Sequence, residues 1–114
     1  MPGSVDELIG LLDLEEVGDQ VYLGRDDERA GRAFQRVFGG QVLAQAITAG
    51  YRTVPRSRVA HSLGAYFLRQ GVPSIPITYS VESTRDGGSF SARRIVAAQG
   101  ERVIFSMECS YHEL

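Results

Sequence analysis

Residues 38–46 read Phe38-Gly39-Gly40-Gln41-Val42-Leu43-Ala44-Gln45-Ala46, a glycine pair set directly before a stretch that is apolar around most of a helical circumference. Glycine has no Cβ, so the backbone at Gly39 and Gly40 can come close to another group. The first turn of a helix leaves N–H groups without partners and carries partial positive charge. Such a place can hold a developing negative charge. The same pair can also serve only to let a helix enter beneath a sheet, and both readings stand at this point.

Working outward, the spacing predicts a helix over about 40–53. Gln41, Gln45, Thr48 and Arg52 form one narrow polar stripe, with Val42, Leu43, Ala46, Ile47 and Gly50 opposite. Several of these residues are small, so a sheet can wrap closely around them. Pro55 stops the helix. From Val59 the period changes to 2. His61, Leu63, Ala65 and Phe67 fall on one strand face, and Ser62, Gly64, Tyr66 and Leu68 on the other. Ile77, Tyr79 and Val81 alternate with Thr78, Ser80 and Glu82. Asp86-Gly87 is a hairpin signal, and Gln99-Gly100 turns the chain again. The span of about 59–112 therefore reads as a four-strand meander. Upstream, a short helix is expected over about 1–15, with Ser4 and Glu7 as a capping box. Val17 to Leu23 reads as a first strand and Gly24 to Gln35 as a surface loop. The predicted class is α+β: one domain over 1–114, an antiparallel sheet burying one long helix.

The bulk composition narrows the function. An apolar fraction of 43% is enough for a core without disulfides. A net charge of −2 leaves no basic footprint for nucleic acid. All twelve basic residues are arginines, which hints at GC-rich coding or at anion contacts. Cys109 is the one cysteine, compatible with a reducing compartment. Asp6 and Glu7 break the first apolar run, and no run suits a membrane span. A cytoplasmic protein with no membrane or nucleic-acid partner is expected.

The chemical candidates are few. His61 and Ser62 are strand neighbours and point to opposite faces, so they do not pair as base and nucleophile. His61 reads either as a core or interface histidine or as a polar contact in a cleft. Gln41, in the first helical turn, either caps the helix or orients a carbonyl or water. Arg93 and Arg94 alternate outward and inward; one is a candidate phosphate contact, with a solvated arginine as the commoner alternative, and Asp86 serves its turn. His61 and His112 have no metal-ligand spacing, so no metal and no cofactor is expected. Cys109 reads as a small buried hydrophobe. No Asp or Glu lies in the predicted helix or just before it.

Three motifs then carry a resemblance: Val37 to Ala46; His61-Ser62-Leu63 with Tyr66-Phe67-Leu68-Arg69; and Thr84 to Arg94, which includes Ser89. Across nearly the whole chain, from about Leu8 to Tyr111, the sequence resembles the N-terminal half of the TesB-type acyl-CoA thioesterases (acyl-CoA thioesterase II). The resemblance implies a hotdog fold and hydrolysis of acyl-CoA to free fatty acid and CoA. It implies a second hotdog unit, either a separate C-terminal half or a second copy forming a dimer. The family's Asp, Thr/Ser and Gln catalytic set sits in that second unit, and no position here matches it. By resemblance, Gly39, Gly40, Gln41, His61 and Ser89 are the substrate-binding candidates, and His61 is the one weak catalytic candidate. The alternative is a non-catalytic acyl-CoA-binding or assembly domain, favoured by the missing carboxylate. A hotdog dehydratase would need an Asp/His-type pair near the helix, which His61 alone does not supply.

Overall fold

Eight elements follow one another in the computed structural model, which describes residues 5–25, 38–72 and 74–113. Helix α1 (Val5–Leu12) leads into strands β1 (Glu15–Gly18) and β2 (Val21–Gly24). The long helix α2 (Phe38–Tyr51) precedes β3 (Arg58–Phe67), β4 (Ile77–Asp86), β5 (Phe90–Gln99) and β6 (Arg102–Glu113). The strands form one antiparallel sheet in the order β1-β2-β4-β5-β6-β3. Its inner face wraps α2, which touches every strand from β2 to β6. This is the hotdog architecture, and its class is α+β.

The small side chains of α2 decide how closely the sheet closes. Ala46 and Ala49 are fully buried against Tyr79, Ile95, Phe105, Met107 and Tyr111. At Gly50 the fit is tightest: the Tyr111 hydroxyl occupies the space a Cβ would need, and it donates to the Ile47 carbonyl at 3.1 Å.

The strand order corrects the four-strand meander expected over about 59–112. Only β4, β5 and β6 form one; β3 lies at the far edge, paired with β6 from Arg58↔Glu113 to Phe67↔Phe105. The physical reason lies in the connection after β3. Leu68 N–H donates to the Ile104 carbonyl and Arg69 to the Val103 carbonyl, both at the start of β6. Val72 N–H then donates to the Gln99 side chain, which in turn donates to the Val72 and Ile75 carbonyls. The chain thus crosses the ends of β6 and β5 before entering β4 beyond them.

The single strand expected over Val17 to Leu23 is a hairpin. Residues 19 and 20 form its turn, and Gln20 takes the left-handed conformation at φ 55°. The Gln20 side chain fastens this turn to β4 by donating to the Val81 carbonyl at 2.9 Å. Ser4 of the expected capping box, and most of the loop expected over Gly24 to Gln35, lie outside the described residues.

Two buried arginines hold the β4–β5 turn and the helix C-terminus. Arg58 donates to Ser91 Oγ and to the Gly87 and Gly88 carbonyls. Arg93, 3% exposed, donates to the Thr53 hydroxyl and carbonyl, the Arg85 carbonyl and Asp86 Oδ1 at 2.8 Å. Of the two arginines considered for a phosphate contact, Arg93 is therefore fully engaged inside the protein, and Arg94 is exposed. The Arg93 hydrogen bond, assisted by one from Ser91, holds the Asp86 carboxyl below its ordinary range. A lowered folded value makes this contribution complete above the unfolded aspartate value, near ~3.9. It fades as pH falls through the lowered folded value. Asp86→Asn should therefore flatten the acid limb of a stability-versus-pH curve. An unchanged acid slope in that variant would show that the contact contributes nothing.

Candidate active site at the entry of the long helix

Helix α2 begins at Phe38, so Gly39, Gly40 and Gln41 all lie in its first turn. That turn has no acidic residue to occupy its free N–H groups. Gly40 is exposed, and a Cβ there would meet nothing within 4 Å. Gly39 is half-buried, facing the Phe67 ring; a Cβ would come within 3.5 Å of it. Phe67 packs edge-on against the fully buried Phe105 with centroids 4.9 Å apart, yet is itself 58% exposed. The helix entry thus pairs a glycine backbone with an exposed aromatic wall.

Gln41 is the unusual residue of this turn. It is only 9% exposed, and among the described residues neither its amide nitrogen nor its carbonyl oxygen has a hydrogen-bond partner. A buried unpaired polar group costs about 1–3 kcal/mol, so nearly all such groups find partners. Capping leaves this side chain unexplained, because its oxygen accepts from no backbone N–H.

One helical turn further on, Gln45 shows the satisfied counterpart. It is fully buried, accepts from the Tyr79 hydroxyl at 2.7 Å and donates to the Leu11 and Arg25 carbonyls. Arg52 donates to the Leu14 carbonyl and pairs with Asp13 at 3.7 Å. Gln45 and Arg52 of the polar stripe therefore tie α2 to the N-terminal segment. Burial drives the Tyr79 hydroxyl far above the ordinary tyrosine range, so it stays protonated as the donor to Gln45. Gln45 and Tyr79 were not among the sequence candidates, although the i, i+4 spacing to Gln41 places Gln45 on the same stripe.

The remaining candidates lie elsewhere. His61 is exposed, at a bulge between the pairs Ala60↔Tyr111 and Ser62↔Ser110. The extra residue breaks the alternation, so His61 leaves the face of Leu63 and Phe67 and stacks on His112, with centroids 4.5 Å apart. Ser89, in the β4–β5 turn, accepts from Glu113 N–H through its carbonyl. His112 and Phe105 are seven residues apart on β6, a span of roughly 23 Å at strand rise. His61 and Ser89 thus sit at the opposite end of the sheet from Gly39, Gly40 and Gln41. Cys109 is 3% exposed, and burial raises its thiol above the ordinary range, which makes it a core residue. Among the described residues, no group of three or more His, Cys, Asp or Glu is placed to hold a metal, and no helix is long and apolar enough to cross a membrane.

The family model for the acyl-CoA thioesterase N-terminal domain matches residues 26–112. Acyl-CoA thioesterase 2 of Haemophilus influenzae is 39% identical over 111 residues, which cover 97% of this chain and 38% of that protein. Human acyl-coenzyme A thioesterase 8 is 37% identical over 114 residues, covering 98% and 35%. The solved acyl-CoA thioesterase II TesB2 of Mycobacterium marinum superposes with a TM-score of 0.81 at 42% identity, over 91% of this chain and 38% of that one. The chain spans about a third of the length of the first curated relatives it matches.

Proposed function

Because this chain belongs to the acyl-CoA thioesterase N-terminal domain family, we propose that it is one hotdog half of an enzyme that hydrolyses acyl-CoA. Water attacks the thioester carbonyl carbon and gives a tetrahedral oxyanion. The C–S bond then breaks, releasing the fatty acid, and the CoA thiolate takes up a proton. Gly39, Gly40 and Gln41 form this chain's part of the cleft. The free N–H groups of the first turn of α2 receive the oxyanion. The Gln41 amide nitrogen donates to the carbonyl oxygen, and its own oxygen accepts a hydrogen bond from the attacking water, whose proton passes to a carboxylate of the second unit. The observation that carries this reading is the Gln41 carboxamide, buried in that turn with both its polar atoms unpartnered among the described residues.

The water-activating carboxylate comes from a second hotdog unit, because α2 has no acidic residue in its first turn. The two sheet edges differ in a way that supports such pairing. Edge β1 is short and begins Glu15-Glu16, a charged end that discourages strand addition. Edge β3 is ten residues long and exposes Leu63, Tyr66 and Phe67, with Leu68 just beyond. A C-terminal hotdog half, or a second copy in a dimer, pairs along β3 and closes the cleft over Phe67 and Gly39. The single buried cysteine fits a cytoplasmic setting, and the reaction places the chain in fatty-acid and lipid metabolism.

The missing carboxylate equally favours one other reading, a non-catalytic acyl-CoA-binding domain. Calorimetry with a non-hydrolysable acyl-CoA thioether tests both. The chain mixed with the C-terminal remainder of the Haemophilus influenzae relative should bind it saturably. No heat, with or without the second unit, would defeat both readings.

A further inference from the structure

The two histidines of this chain, 51 positions apart in sequence, meet on the outer face of the sheet, away from α2. We propose that His61 and His112 together form a binding site for a divalent transition-metal ion of the zinc or nickel class, with water completing the coordination. Three features build it. The bulge in β3 turns His61 out of alternation and beside His112, which is a recognised use of a bulge. The Tyr51 hydroxyl accepts from Ala60 N–H at 2.7 Å, next to the bulge, and so fixes the backbone that carries His61. Phe90 stacks on the other side of His112, with centroids 5.3 Å apart and planes 27° apart, and limits where that ring can go.

The spacing suits a shared ion. A metal–nitrogen bond of about 2.1 Å, plus roughly 1.2 Å from nitrogen to ring centre, puts each centroid about 3.3 Å from the metal. Two such ligands at 90–109° then have centroids about 4.7–5.4 Å apart. The observed 4.5 Å is within a few tenths of this. Access is open: His61 is exposed and His112 half-buried. The adjacent row, Ser62 and Ser110, is small and lines a groove of about 360 Å³ beside the histidine pair. The cation at this end of the row, Arg85, stands over the Phe90 ring, so Phe90 separates it from His112. Two protein ligands make an exchangeable site rather than a structural one. The inference is independent of the thioesterase reading.

Because the chain has only these two histidines, nickel is a clean probe. Metal-stripped, tag-free chain titrated with Ni²⁺ at pH 7.5 should bind one ion. The His61→Ala and His112→Ala variants should each bind at least tenfold more weakly. In the wild-type chain the paramagnetic ion should broaden the ring-proton resonances of both histidines together, a readout that needs no variant. The proposal is overturned if Ni²⁺ does not bind, if either variant binds as well as wild type, or if only one imidazole is broadened.

Discussion

Gly50→Ala is expected to destabilise the chain by about 2–3 kcal/mol, seen as a lower urea midpoint at unchanged slope. Alanine within a helix is ordinarily better than glycine by about 1 kcal/mol, so propensity alone predicts the opposite sign. Packing decides the sign. The new Cβ would overlap the Tyr111 hydroxyl and lie 2.8 Å from the ring carbon that bears it. Tyr111 is fully buried and packs edge-on against Tyr51 at 4.9 Å, so it cannot swing away freely. Relief requires either a shift of α2 from the sheet or loss of the bond to the Ile47 carbonyl. Tyr111→Phe removes the overlapping oxygen. The double variant should therefore recover part of the loss, a coupling a double-mutant cycle measures. A stabilised Gly50→Ala chain would mean that α2 and β6 are not packed this closely.

Gln41→Met should separate stability from function. In the isolated chain it replaces an unpartnered buried carboxamide with an apolar side chain of similar volume. Stability should rise by about 1–2 kcal/mol. In the pair of hotdog units the same change removes the donor to the carbonyl and the acceptor for water. Turnover should fall on the order of 100-fold, the effect of losing one oxyanion donor. A structural role predicts the reverse pattern: loss of stability with turnover intact. Gln45 serves as the comparison, because its three hydrogen bonds make it a structural residue on the same stripe.

Much of the architecture was legible because periodicity reports burial. Alternation over Val103 to Tyr111 located β6, and the glycine pair with its run of small apolar residues located α2. Strand order was not legible, because alternation says which face a residue takes and not which strand lies beside it. The crossing after Phe67 depends on Gln99 reaching Val72 and Ile75, a contact that sequence spacing does not reveal. The β1–β2 hairpin escaped notice because Gln20, not glycine or asparagine, holds the left-handed turn position. His61 was put on the wrong face because one bulged residue shifts the period by one. For Gln41 the sequence offers only its position in the first helical turn. Its chemical case rests on burial without a partner, which depends on how α2 sits against its surroundings.

The most direct test is thiol release from acyl-CoA by this chain mixed with the C-terminal remainder of its Haemophilus influenzae relative, with association verified by sedimentation. The pair should release CoA continuously, each part alone should release little, and Gln41→Met should silence the pair. A pair that associates and binds the thioether analogue yet releases no thiol would contradict the hydrolase account and leave an acyl-CoA-binding domain.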